Sequence, residues 1–87
     1  MPKVFEYRVC TVYNGHVVIV NDKYFIGQGN FDKLPDSLAA CQQDWEYLRD
    51  AGAEGWELVS ATPPAEADFE GMRVQQEYLY LKREKSS

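Results

Sequence analysis

Residues 50–64 read "DAGAEGWELVSATPP". Ahead of this stretch Leu38, Cys41, Trp45 and Leu48 recur at spacings of three and four, which predicts one apolar stripe along a helix beginning near Pro35 or Asp36. Its opposite face is polar, with Gln42, Gln43, Glu46, Arg49 and Asp50. Gly52 falls where such a helix ends in the left-handed conformation, and Gly55 adds a second permissive position for turning back over a sheet. Trp56, Leu58 and Ser60 then alternate with Glu57, Val59 and Ala61 as a strand, which Pro63-Pro64 closes because proline donates nothing to a ladder. Gly52, Gly55 and Trp56 are thus the structural motif of a helix-to-strand corner. Trp45 and Trp56 are expected to pack on each other or on nearby core.

Upstream, residues 4–13 alternate, with Phe5, Tyr7, Val9 and Tyr13 on one face and Glu6, Arg8 and Cys10 on the other, the pattern of a half-buried strand. Asn14-Gly15 separates it from "HVVIV" and supplies the positive φ angles of a type I′ hairpin turn. Asn21-Asp22-Lys23 offers another turn before "YFI", so a shorter arm ending at "GQGN" is expected. Downstream, "AEADFEG" at 65–71 reads as an exposed acidic loop. A last strand from Met72 to Lys82 sets Met72, Val74, Tyr78 and Tyr80 against Arg73, Gln75, Leu79 and Leu81.

These elements predict an α+β domain: an antiparallel β-sheet of about four to five strands, in the order β-β-(β)-α-β-β, with one helix packed on one face. The whole of 1–87 is one domain, with its core at about 3–83, an extra hairpin at about 15–31 and a frayed tail at 84–87. Placing Leu79 and Leu81 under the helix leaves Arg8, Cys10, Val12, Val59, Ala61, Val74, Tyr78 and Tyr80 on the other side, a face too apolar for water.

"FEYRV", "LRDAGAEGWELVSA" and "YLYLKR" resemble a family of small prokaryotic and phage proteins catalogued as domain of unknown function 4177. Its members read W-E-Y-K-V, then G-A-E-G-W-E-L-V-S-V, then an aromatic strand ending in K-R. The resemblance covers the first strand and roughly residues 45–62 and 76–83. It departs at "GHVVIVNDKYFIGQGNFDKLP", where shorter members have a brief connection. What it implies is the fold; it brings no activity, cofactor or catalytic residue.

Composition narrows the function classes. A chain of 87 residues buries only about 60–65% of its unfolded surface, so its stability margin is thin. With 45% hydrophobic residues it nonetheless folds. Net charge is −5, and the one basic cluster is Lys82, Arg83 and Lys85, too little to neutralise a phosphate backbone, so nucleic acid is not an expected partner. No apolar run approaches the roughly 20 residues of a membrane span. The charged start and the two cysteines, Cys10 and Cys41, suggest a cytoplasmic protein with free thiols.

No catalytic set assembles from the sequence, and no metal or cofactor is expected. His16 is the only histidine and reads as a solvated turn residue, since a metal site or triad needs convergent partners. Gly27-Gln28-Gly29 lacks the third glycine and the direct helix entry of a dinucleotide loop. Carboxylate pairs such as Glu66 with Asp68, or Glu54 with Glu57, lack the opposed environments that separate acid from base. Cys41 reads as a core residue on the helix stripe and Cys10 as an outward thiol near Arg8, without a general base.

The functional expectation is a non-enzymatic, homo-oligomeric interaction module. It rests on the apolar "VVIV" segment and the Tyr78/Tyr80 face, with Phe69 as an aromatic of the acidic loop. The alternative is a module that binds or sequesters a small, nucleotide-like anion between subunits, the tyrosines stacking a ring while Arg8, Arg73 and Lys82 meet phosphates.

Overall fold

The computed structural model describes residues 3–24 and 38–85. In chain order the elements are β1 (Phe5–Tyr13), β2 (His16–Val20), β3 (Lys23–Tyr24), α1 (Asp44–Ala53), β4 (Glu57–Ala61), β5 (Ala65–Phe69) and β6 (Met72–Glu84). The fold is α+β: a six-stranded antiparallel sheet ordered β3-β2-β1-β6-β4, with β5 sharing the β4 edge of β6. The expected arm "YFI…GQGN" continues past β3 into positions outside the described residues, as does the expected helix start at Pro35 or Asp36.

The spine is β6, thirteen residues long. All of β1 pairs with it, from Phe5 opposite Glu84 to Tyr13 opposite Gln76. Along its other edge β4 meets residues 79–82 and β5 meets residues 72–76. Thr62 bridges the gap, its N–H donating to Tyr78 O at 3.0 Å and its Oγ1 accepting Tyr78 N–H at 2.8 Å. Pro63 and Pro64 follow at the point where the chain leaves the ladder, where their missing N–H is not needed.

Asn14 (φ +50°) and Gly15 (φ +82°) form the expected I′ turn. Asn14 also joins the neighbouring ladder, its N–H donating to Gln75 O and its Oδ1 accepting Gln75 N–H, both at 2.8 Å. A second turn of the same kind was not expected: Glu70 (φ +49°) and Gly71 (φ +83°) join β5 to β6, so residues 65–69 are a strand and not an acidic loop. Glutamate at the first turn position hid the hairpin, because that position usually holds Asn, Asp or Gly.

The predicted helical stripe is also corrected. Residues 41–43 are not helical; they run beside β2, with Val17 N–H donating to Gln42 O and Asp44 N–H to Gly15 O, both at 2.8 Å. The helix α1 starts only after this staple and faces the sheet with Tyr47, Leu48 and Ala51. At 3.6 residues per turn Trp45 stands roughly 115° from the centre of that arc. It is accordingly 58% exposed, its Nε1–H bonded to Gln43 Oε1 at 2.7 Å, and does not pack on Trp56.

Residues 51–56 end the helix with a Schellman motif. Gly55 N–H donates to Gly52 O and Trp56 N–H to Ala51 O, each at 3.0 Å. The left-handed residue is Gly55 (φ +92°), not Gly52, which lies inside α1. Trp56 is thereby dropped against Ala51, beside Cys10, Val12, Val17, Leu79 and Leu81. A second cluster, Tyr13, Val18, Leu38 and Val74 with Cys41, Phe69 and Met72 against it, surrounds the hairpin end of the sheet.

The sheet faces are assigned by register. Arg8 pairs with Leu81, Cys10 with Leu79 and Val12 with Glu77, so Arg8, Cys10 and Val12 are on the helix side and not on the tyrosine side. Cys10 is fully buried, not an outward thiol. A bulge between Leu58 and Ser60 breaks the alternation expected of β4, setting Ser60 opposite Tyr80 and Ala61 opposite Leu79.

A Cβ added at Gly52 meets nothing within 4 Å, whereas one at Gly55 meets the Arg83 side chain at 3.4 Å and sits at positive φ. Urea denaturation should therefore find Gly52→Ala stabilised by about 0.5–1 kcal/mol, as for glycine in a helix interior, and Gly55→Ala destabilised by about 1 kcal/mol or more. The opposite ranking would refute the assigned helix end.

Candidate functional site: an open tyrosine face

The ladder that buries Cys10 and Leu79 turns Val9 toward Tyr80, Thr11 toward Tyr78 and Tyr7 toward Lys82 on the face away from α1. Tyr7 is 67% exposed, Tyr80 39%, Val9 37% and Tyr78 36%. Four large side chains on two adjacent strands thus form one open apolar surface with hydroxyl groups at its edge. Lys82 stands on this face with Nζ 4.9 Å from the Phe5 ring centroid, and Glu84 lies opposite Phe5. On the edge strand β4, Val59 at the bulge is exposed, as is Leu58, which lies opposite Leu81 on the helix side.

Of the residues singled out in the sequence, Tyr78, Tyr80 and Lys82 come together here. Arg8 does not: it is on the helix side, 4.1 Å from the Trp56 ring centroid, with Nη1 donating to Tyr47 Oη at 2.8 Å. Arg73 is nine positions from Lys82 along β6, roughly 30 Å in an extended strand, and pairs with Glu66 at 3.2 Å. Phe69 is half-buried, stacked on Tyr13 with centroids 4.6 Å apart, and belongs to the second core cluster. Tyr7 and Val9 are members of the open face that the sequence reading placed under the helix. Cross-strand register would have found them, since directly paired residues share a face.

Three of the perturbed groups lie on the helix side. Burial pushes the Tyr47 phenol up to about 12, reinforced by the neighbouring Cys10 and opposed by Arg8. Burial likewise raises the Cys10 thiol, against the lowering effects of Tyr47 and Arg8. Glu77 is raised by burial and by Asp44 beside it. His16 is half-buried beside the first turn, with Nδ1 2.9 Å from Cys41 O. Cys10 is a buried free thiol. Among the described residues no three His, Cys, Asp or Glu side chains gather as a metal site would require, and no helix is long and apolar enough to cross a membrane.

No family model, no curated protein and no solved structure matches the chain.

Because the Tyr47 phenol ionises near 10 when unfolded and near 12 when folded, its contribution to stability is whole below pH 10 and is lost as pH rises through about 12. Urea titrations across that window should show a steeper alkaline loss for the native sequence than for Tyr47→Phe. Parallel slopes would show that Tyr47 is not held neutral by the fold.

Proposed function

We propose that the protein is a non-enzymatic interaction module that self-associates through the face of Tyr7, Val9, Tyr78 and Tyr80. The observation that carries this reading is the uneven burial of the sheet: α1 packs over Cys10, Leu79 and Leu81, and Leu38 joins Tyr13, Val18 and Val74 at the hairpin end of the opposite face, while the four side chains beyond them on that face stay exposed. Tyrosine suits such a surface, since it offers large, rigid contact area at low entropic cost. The occupant is a second copy because the face is self-complementary in charge. Its charged residues are Lys82, with Glu57 directly opposite it on β4, and Glu84, so that a two-fold axis would set Lys82 of one copy against Glu84 of the other across the seam.

The sequestration of a nucleotide-like anion at a subunit interface is less well supported, because Arg8, Arg73 and Lys82 do not converge on one surface. The "GAEGWELVS" stretch places the chain with the small-domain family it resembles, and the buried thiol of Cys10 suits the cytoplasm.

Sedimentation equilibrium at micromolar concentration should give a mass above that of one chain. Tyr7→Ser combined with Tyr80→Ser should shift the assembly toward monomer by about tenfold or more in dissociation constant, with little change in the far-ultraviolet spectrum. A wild-type protein that stays monomeric at high concentration would refute the proposal.

A further inference from the structure

The four arginines differ in their pairing. Arg49 is bridged to Asp50, Arg73 to Glu66 and Arg83 to Glu6. Arg8 is half-buried yet forms no ion pair with any described carboxylate. A partly desolvated cation without a counter-charge is costly, which makes its retention informative. Arg8 is also held in place, stacked on Trp56 and donating from Nη1 to Tyr47 Oη.

Arg8 lines a cleft of about 590 Å³ between α1 and the β2–β3 turn, together with Val20, Asn21, Asp22, Lys23 and Tyr47. That volume falls within the about 300–1,000 Å³ of small-molecule sites. Asn21 Oδ1 already accepts Val9 N–H at 3.0 Å, so its carboxamide offers the cleft chiefly N–H donors. Arg8 and Lys23 against Asp22 leave one net positive charge, beside an apolar wall of Val20 and the Tyr47 ring.

The geometry points to a binding site for a small apolar monocarboxylate, its carboxylate taken by the free part of the Arg8 fork with Lys23 at the rim, its hydrocarbon part against Val20 and Tyr47. A dianionic phosphate ester fits less well, since its second charge would be uncompensated next to Asp22. The cleft is on the helix side of the sheet, so it stands or falls independently of the tyrosine face.

Amide NMR titration of the full chain with benzoate, benzamide and phenyl phosphate tests this. Benzoate should shift the amides of Val20, Asn21, Asp22, Lys23 and Tyr47 saturably in the millimolar range, and neutral benzamide should not. Arg8→Gln should weaken benzoate binding by about tenfold or more. Because that variant also disturbs the stack on Trp56, two exposed positions provide an independent reading: Asp22→Asn should tighten binding a few-fold and Lys23→Gln should weaken it a few-fold. Absence of a saturable benzoate shift, equal binding of benzamide, tighter binding of phenyl phosphate, or indifference to both exposed substitutions would each overturn the assignment.

Discussion

The structure depends on the nine-residue antiparallel ladder between β1 and β6, which joins the two ends of the chain. Such a contact has high sequence separation and gains nothing until the intervening chain is ordered, so it makes folding slow and cooperative. Once formed, it fixes which side chains share a face. Cys10, Val12, Leu79 and Leu81 become the floor for α1, and Val9, Tyr78 and Tyr80 necessarily become the opposite surface. The open tyrosine face is therefore a consequence of the pairing that builds the core, and cannot be altered by a register shift without exposing that core.

Trp56 is where helix, sheet and charge meet. The Schellman end of α1 delivers it to the core, and the guanidinium groups of Arg8 and Arg83 lie 4.1 and 4.5 Å from its ring centroid. Its Nε1–H is buried without a hydrogen-bond partner among the described residues, a cost accepted where the ring fills the space under the helix end. Arg83 is neutralised by Glu6 and also donates to Glu54 O at 3.2 Å, tying the helix end to β6. Arg8 is stacked in the same way but lacks an anionic partner among the described residues. The two arginines over one indole thus have different roles: Arg83 closes the corner, and Arg8 is left available to the cleft.

The tyrosine face and the Arg8 cleft belong to opposite faces of one sheet, separated by the buried layer. In a thin-margin domain this division is useful, because residues on the tyrosine face can be exchanged without touching Trp56 or the helix contacts. The edge strands are guarded unequally. The short β3 carries Lys23, whereas β4 depends on its bulge at Val59 to discourage further pairing.

Local chemistry was legible in the sequence. Asn14-Gly15 specified its turn through positive φ, the alternation of residues 72–81 specified the last strand, and "GAEGW" announced a helix-to-strand corner. Each depends on the preferences of a few adjacent residues. The same stretch did not reveal that Gly55 rather than Gly52 takes the left-handed position, since both glycines permit it and only the docking of Trp56 on Ala51 chooses. The staple of residues 42–43 onto β2 overrode a plausible helical stripe through Cys41 and Trp45, because interstrand hydrogen bonds at 2.8 Å outweigh weak propensity. Most of all, β1 alternates in a way that fits either face. Which half of it is buried was decided by its partner strand seventy residues away, and with it the membership of the candidate site: a period of two states that faces exist, while only register states which face meets the helix.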